Sequence, residues 1–226
     1  MCGRYTLKSK GIDLQRELNL EREPVIEERF NIAPTQAAPV VLDTNPRELV
    51  LARWGFTPRW AKDVHEGAKH INARAESLAE KRMFTDALAH ARCLVPCDGF
   101  YEWKHHGKQS QPLYVHAPSH PIQTMAGVWT TWRSADGIEV ATFSIITTAA
   151  DAFMSRIHSR MPVFVSPEDR ARWLSTETSS RDVQTLLQKR VETPLAAFEV
   201  SQAVNHVAID DARCLEPAAT VQLELL

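Results

Sequence analysis

The chain has 226 residues, 44% hydrophobic and 24% charged, with eight glycines, thirteen prolines and 8% aromatic residues. That balance excludes collagen-like, low-complexity and disordered readings of the bulk. The formal net charge of -2 gives no whole-chain electrostatic case for nucleic acid, although residues 53–108 carry ten Lys/Arg against seven Asp/Glu and residues 161–226 carry six against ten, so a polyanion should prefer the middle. Residues 2–7 predict a short strand, and residues 10–19 a helix with Ile12, Leu14, Leu18 and Leu20 as a loose apolar stripe. Alternating or β-branched runs then predict strands at Pro39–Leu42, Arg47–Trp54, Arg92–Pro96, Phe100–Lys104, Pro112–His116, Met125–Trp132 and Ile138–Thr147. Thr44-Asn45-Pro46, His106-Gly107 and Asp136-Gly137 mark turns beside them. Ser166-Pro167-Glu168-Asp169 reads as a helix start with Ser166 at the cap, leading into Arg170–Leu174, and a second helix begins near Ser180 with Val183, Leu186 and Leu187 apolar. Helices therefore gather at the chain ends around a strand-rich middle. The expectation is an α+β architecture with a mixed, closed or nearly closed sheet flanked by helices.

No repeat and no Gly/Ser-rich or Pro-rich linker divides the chain, so one domain over 1–226 is the simplest organisation. No apolar run approaches the ~18–20 residues of a membrane-spanning helix, and no basic region followed by a hydrophobic stretch opens the sequence, so a cytoplasmic location is expected. Cys2, Cys93, Cys97 and Cys214 are too few and scattered for a disulfide framework and should be free thiols. Cys93 and Cys97 form half a zinc site at most, because neither Cys2 nor Cys214 has a His or Cys two to five residues away; no metal is expected.

Several groups carry possible chemistry. Removal of Met1, normal before a residue as small as cysteine, would leave Cys2 with an α-amine of reference pKa about 7.7–8.0 beside a thiol of about 8.5. Neighbouring Arg4 should lower both values further. An amine attacks an aldehyde to give a Schiff base, and an adjacent thiol closes onto the imine as a five-membered thiazolidine. The plain alternative is a small apolar residue starting a strand. Asn72, Arg74 and Glu76 share one side of Ile71–Glu76 if that segment is extended, as charges on a solvated strand face also would. Glu102 stands between Tyr101 and Trp103, where desolvation would raise its pKa and suit it to general acid or base work; an ion pair with Lys104 or Arg74 is the alternative. His158 lies two residues before Arg160, a candidate phosphate ligand, and a lone histidine is more often structural. Trp54, Phe56 and Trp60 interleave with Arg53 and Arg59, as a stacking platform for unpaired bases would. Core aromatics look the same, and Trp54 reads as core, with Trp60 the exposed ring.

Met1-Cys2-Gly3-Arg4-Tyr5, Asn31-Ile32-Ala33-Pro34, Trp54-Gly55, Asn72–Glu76, Pro96–Trp103 and Ile157–Pro162 appear in one ordered set. Together they resemble the SOS response-associated peptidase family, from residue 2 to about residue 205, with the acidic segment 206–226 outside the strongest likeness. The resemblance implies a single domain with a strand-built core. It also implies that Cys2 captures the ring-opened sugar aldehyde of an abasic site in single-stranded DNA, including at junctions with duplex, as a thiazolidine crosslink. On that basis Cys2 is the nucleophile, Asn72 orients the opened deoxyribose, Glu102 moves protons and His158 assists Schiff-base formation and reversal. Arg4, Arg74 and Arg160 are then phosphate ligands, and Asn31, Pro34 and Trp60 shape the strand's path. A monomer without cofactor is implied, associated with the nucleoid in a bacterium, with self-processing thiol peptidase activity that removes Met1. Two positions depart from the family pattern. Position 159 is Ser where many relatives carry Asp, and His206–Asp211 lacks the second Asn usual there.

Two other classes share parts of this pattern. Glutamine amidotransferases also begin Met-Cys-Gly and use the freed cysteine as an acyl nucleophile, but their Asn-Gly oxyanion motif is absent from this sequence. A non-covalent reader of modified bases or junctions would use the same aromatic and basic groups without a free Cys2.

Overall fold

Long strands of alternating or wholly apolar sequence organise the chain, which the computed structural model describes over residues 2–107, 109–191 and 193–218. Met1 and the last eight residues of the acidic tail lie outside the described residues. In chain order the elements are β1 (Arg4–Leu7), α1 (Gly11–Leu18), β2 (Arg29–Ile32), β3 (Ala37–Leu42), β4 (Asn45–Trp54), β5 (Asn72–Arg74), α2 (Arg82–His90), β6 (Arg92–Cys97), β7 (Gly99–His106), β8 (Gln109–His116), β9 (Gln123–Arg133), β10 (Glu139–Ala149), β11 (Arg160–Pro162), α3 (Arg170–Leu174), α4 (Ser180–Gln188) and β12 (Ala196–Glu199).

Strands β10, β4, β3, β6 and β9 pair in that order, and β9 returns to β10, closing a ring. The β10–β4 pair is parallel and the others are antiparallel, so the barrel is mixed. Closure leaves those strands no open edge to template association. Beyond the ring, β10 runs on to pair β5 in parallel at Ile145–Thr147 and β11 antiparallel at Thr147–Ala149. That overhang carries part of the site. A second, antiparallel sheet has the order β12-β8-β7-β1-β2.

Burial explains these assignments. Every residue of β6 is buried, because both faces of that strand are covered, and its sequence is accordingly a near-continuous apolar run. Its one charge, Arg92, is also buried and donates to the carbonyls of Leu88 and Ala89 at 2.7 Å, Trp173 at 2.6 Å and Ser175. The guanidinium thus satisfies the orphan carbonyls at the ends of α2 and α3. In β7 the faces alternate: Phe100 joins the main core, and Tyr101 joins a smaller cluster with Tyr114, Val200, Val204 and Cys214.

The α+β barrel and its flanking helices match the expectation; β2, β11 and β12 lie outside the predicted strands, a second sheet stands beside the barrel, and three further points differ. Helices are not confined to the chain ends, since α2 lies mid-chain. Its buried Phe84, Ala87 and Leu88 have helical spacing, but Lys81 at the N-cap makes no side-chain bond, so the sequence carries no start signal. Ser166 caps no backbone N–H; its hydroxyl donates to the Asp169 carboxylate at 3.0 Å, and α3 is entered through a 3-10 turn at Pro167–Asp169. The extended run expected through Glu76 stops at Arg74, and Glu76 sits on a 3-10 turn, Ala75–Ser77. Among the described residues, no helix is long and apolar enough to cross a membrane.

Candidate active site

Cys2 is fully buried just ahead of β1. The Asn72 side-chain amide donates to its carbonyl at 2.9 Å. Asn72 is placed by its strand: β5 pairs with β10, Asn72 opposite Ile145. The preceding carbonyl, of Ile71, accepts from the Ile145 N–H at 3.0 Å and from the Trp54 indole at 2.8 Å. Trp54 is itself held by Tyr5, edge-on at 5.2 Å, and by Phe143, stacked at 6.4 Å. Gly55 follows at φ 135°, and a Cβ on Gly67 would stand 2.1 Å from the Gly55 oxygen. Both positions therefore require glycine, one for its backbone angle and one for the close approach.

Glu102 reaches the same place from β7. Tyr5 lies opposite Phe100 and Arg4 opposite Tyr101, so Glu102 shares the face of Phe100 that looks toward the main core and Cys2. It is 2% exposed. Burial raises its carboxyl pKa above the usual range. Burial, then the Glu102 charge, pushes the Cys2 thiol far up. The expected depression of the thiol by the Arg4 charge does not occur; a backbone hydrogen bond to Arg4, whose carbonyl lies 3.9 Å from Sγ, pulls the value down, and burial outweighs it. Arg4 lies on the opposite face of the sheet, where it donates to Asn31 Oδ1 at 3.2 Å and the Val204 carbonyl at 2.6 Å. The other carboxylate of the motif, Asp98, is structural and accepts from the Lys8 N–H and the Ser9 hydroxyl.

His158 follows the 3-10 turn Met154–Arg156 and precedes β11. Its own N–H donates to the Met154 carbonyl at 2.8 Å, and its Nδ1 accepts the Arg160 backbone N–H at 2.9 Å. Nδ1 also stands 3.3 Å from the Arg160 carbonyl oxygen; the shorter contact, in which the backbone N–H can only donate, makes Nδ1 the acceptor and places the proton of a neutral ring on Nε2. The Arg160 guanidinium is engaged end-on with Glu76, at 2.7 and 2.9 Å, and with the Thr147 carbonyl at 2.7 Å. The pair with Arg160 holds the Glu76 carboxyl down to about 2.

The structure thus brings Cys2, Asn72, Glu102 and His158 together and separates them from Arg4 and Asn31. Asn31 is fully buried, and its amide donates to the carbonyls of Val204, His206 and Ile209 at 3.2, 3.2 and 2.8 Å. Asp210 accepts from the N–H groups of Phe30 and Asn31 at 2.6 and 2.7 Å and pairs with Arg29. The segment that departs from the family pattern is therefore tied down by an aspartate. Pro34 is half-buried and precedes Thr35, a β-branched residue at φ 72°. Arg74 is exposed, and the Trp60 ring is 66% exposed. All four cysteines are free and buried. Sequence reasoning did not find the Trp54–Ile71 bond or the partner of Glu76. The first could have been sought from an indole beside glycine; the second joins residues 84 apart in sequence and left no local signal.

A mixed barrel with a buried cysteine at the second position, an asparagine holding its carbonyl and a desolvated glutamate beside it defines a thiol-bearing site of one recurring class. The family model described as SOS response associated peptidase (SRAP) matches residues 1–207, and the chain belongs to that family. Among curated relatives, Abasic site processing protein YoqW of Bacillus subtilis is 36% identical over 211 residues, covering 91% of this chain and 94% of its own. Abasic site processing protein YedK of Escherichia coli is 31% identical over 231 residues, covering 96% of this chain and 100% of its own. Of solved structures, one from Bacteroides thetaiotaomicron has the same fold, with a TM-score of 0.83 at 24% identity, covering 96% of this chain and 100% of that one.

Proposed function

We propose that this protein processes abasic sites in single-stranded DNA, capturing the opened sugar on Cys2 as a thiazolidine crosslink. One observation carries the reading: the Asn72 amide holds the Cys2 carbonyl at 2.9 Å, with Glu102 buried near enough to act on the thiol. The abasic-site names of the curated relatives support the substrate.

Hydrolysis of the Met1–Cys2 bond releases methionine and frees the α-amine; we limit the peptidase activity to that step. The amine adds to C1′ of the sugar aldehyde, and the carbinolamine expels water to leave an imine. Glu102, protonated at higher pH than an ordinary glutamate, supplies the proton for the departing water. Loss of that water leaves the nitrogen protonated as an iminium; the sulfur then adds to its carbon, the C–S bond forms, and the thiol proton returns to the Glu102 carboxylate. A thiol raised by burial stays protonated until that base acts, which limits side reactions of a thiolate. Asn72 orients the opened sugar, and His158, with its proton on Nε2, assists imine formation and reversal. Arg74 and the exposed Trp60 ring contact the strand outside the pocket.

Intact mass after incubation with an abasic-site oligonucleotide tests this. The expected adduct is the chain without Met1 plus the oligonucleotide, less one water. Cys2→Ser keeps the amine but offers a weaker ring-closing group, so it should give an adduct that survives mainly after borohydride reduction, as should Cys2→Ala. A stable, unreduced adduct on Cys2→Ala overturns the thiazolidine.

A further inference from the structure

Glu76 has no place in the chemistry above, yet it makes three bonds around His158. Its two oxygens take both terminal nitrogens of Arg160, at 2.7 and 2.9 Å, and Oε1 also accepts the Ala149 N–H at 3.2 Å. Ala149 and Arg160 are opposite each other where β10 meets β11. The next rung is a hydrogen bond from the Ala150 N–H to the Ser159 carbonyl at 3.0 Å. Glu76 therefore clamps the open end of the strand pair that bears His158, and the backbone of the clamped arginine donates to His158 Nδ1.

The guanidinium geometry supports a holding role over a ligand-binding one. Both terminal nitrogens point at Glu76, and one also serves the Thr147 carbonyl, while Nε is buried. The side chain is 15% exposed, whereas that of Glu76 is 50% exposed. A DNA phosphate could reach the fork of Arg160 only by displacing a bidentate carboxylate, one of the stronger pairings available to arginine.

We infer that Glu76 is a positioning residue for His158, acting through Arg160 to fix the tautomer and direction of the imidazole. This rests on the proposed role of His158, but its first test does not.

Glu76→Gln is nearly isosteric and retains an acceptor for Ala149, so the fold should persist, as a thermal melt checks. In imidazole nitrogen–proton correlation spectra, His158 of the native protein should be the Nε2–H tautomer, and in Glu76→Gln a mixture of tautomers. An unchanged spectrum overturns the inference whether or not the protein crosslinks DNA. With abasic single-stranded DNA at saturation, Glu76→Gln should slow adduct formation about tenfold, while non-covalent affinity, measured on an intact single strand that offers no aldehyde, stays within about twofold. In a His158→Ala background, Glu76→Gln should slow the reaction no further. Additive losses overturn the route through His158. Severalfold tighter DNA binding by Glu76→Gln with an unchanged rate also overturns it, and would make Glu76 a mask over a phosphate site.

Discussion

The indole N–H of Trp54 donates to the carbonyl of Ile71 at 2.8 Å, so a core aromatic fixes the residue immediately before Asn72. Trp54→Phe keeps an apolar ring between Tyr5 and Phe143 but removes the donor. Since Ile71 retains its bond from Ile145, the carbonyl is not orphaned, and the stability loss should be about 1–3 kcal/mol from the lost bond and the smaller ring. The informative readout is the rate at saturating abasic DNA. It should fall several-fold if Asn72 loosens, with strand affinity unchanged. A loss of stability with a native rate would confine Trp54 to the core.

Glu102 links the site to stability through pH. Its folded carboxyl pKa lies above the ordinary 4.5 because the group is desolvated. Above 4.5 the unfolded chain has released this proton while the folded one still holds it. The stabilising term is therefore fully present below 4.5 and is lost as pH rises through the folded value. Glu102→Gln stays neutral throughout, so its urea midpoint relative to the native protein should rise between pH 4 and pH 8, while adduct formation slows about 10²-fold or more. A midpoint difference constant across that range would mean that the buried carboxyl does not titrate there.

The barrel strands were legible because their residues are apolar on one face or both: β6, β9 and β10 are long buried runs, and each hairpin carries a turn signal. The resemblance singled out Cys2, Asn72, Glu102 and His158, which the fold brings together, and Glu102 also stood out by its aromatic neighbours; their roles belong to the proposal. The helix α2 escaped notice because it lacks a capping side chain. The reversal at Arg4 was invisible for a different reason. Adjacent residues on a strand face opposite sides of a sheet, and whether Cys2 continues that alternation is decided by the chain bend ahead of β1. Proximity in sequence therefore said nothing about whose field the thiol feels. The Asn31 and Asp210 contacts, spanning some 170 to 180 residues, likewise depend on the route of the 200–211 segment.

Arg92 should be among the most sensitive positions for folding. Its guanidinium is buried and serves four carbonyls, while the Asp43 carboxylate accepts only from its backbone N–H, at 3.3 Å. Arg92→Met fills similar space but leaves those acceptors without this donor, so a loss of about 3–5 kcal/mol is expected in chemical denaturation. Arg92→Lys can reach fewer of the four and should recover only part. A loss below about 1 kcal/mol for Met would show that the carbonyls are satisfied in another way.

Thr35 holds a β-branched side chain at φ 72°, a conformation that costs about 1–2 kcal/mol for such a residue. The loop enforces it: the Thr35 N–H donates to Trp54 at 2.7 Å, and the Trp54 N–H returns to Gln36 at 2.9 Å. Thr35→Gly should relieve the strain, offset in part by the entropy of glycine in the unfolded chain, and raise the denaturation midpoint modestly. A fall in the midpoint would show that the threonine side chain contributes more than its backbone angle costs.

Trp60 separates strand binding from folding. Its ring is 66% exposed, so Trp60→Ala should leave the thermal midpoint nearly unchanged. If the ring stacks on an unpaired base, the same change should weaken single-stranded DNA by about 1–3 kcal/mol and leave the salt dependence alone, because no charge is removed. Arg74→Ala should do the reverse on the second axis. Losing one phosphate contact lowers the slope of log affinity against log salt by about 0.7 for a single strand, with a smaller effect at high salt. Filter-binding titrations across a salt series, with an intact strand to exclude crosslinking, measure both. Equal affinity of the native protein for duplex and single strand would contradict stacking altogether, since paired bases offer no free face to the indole.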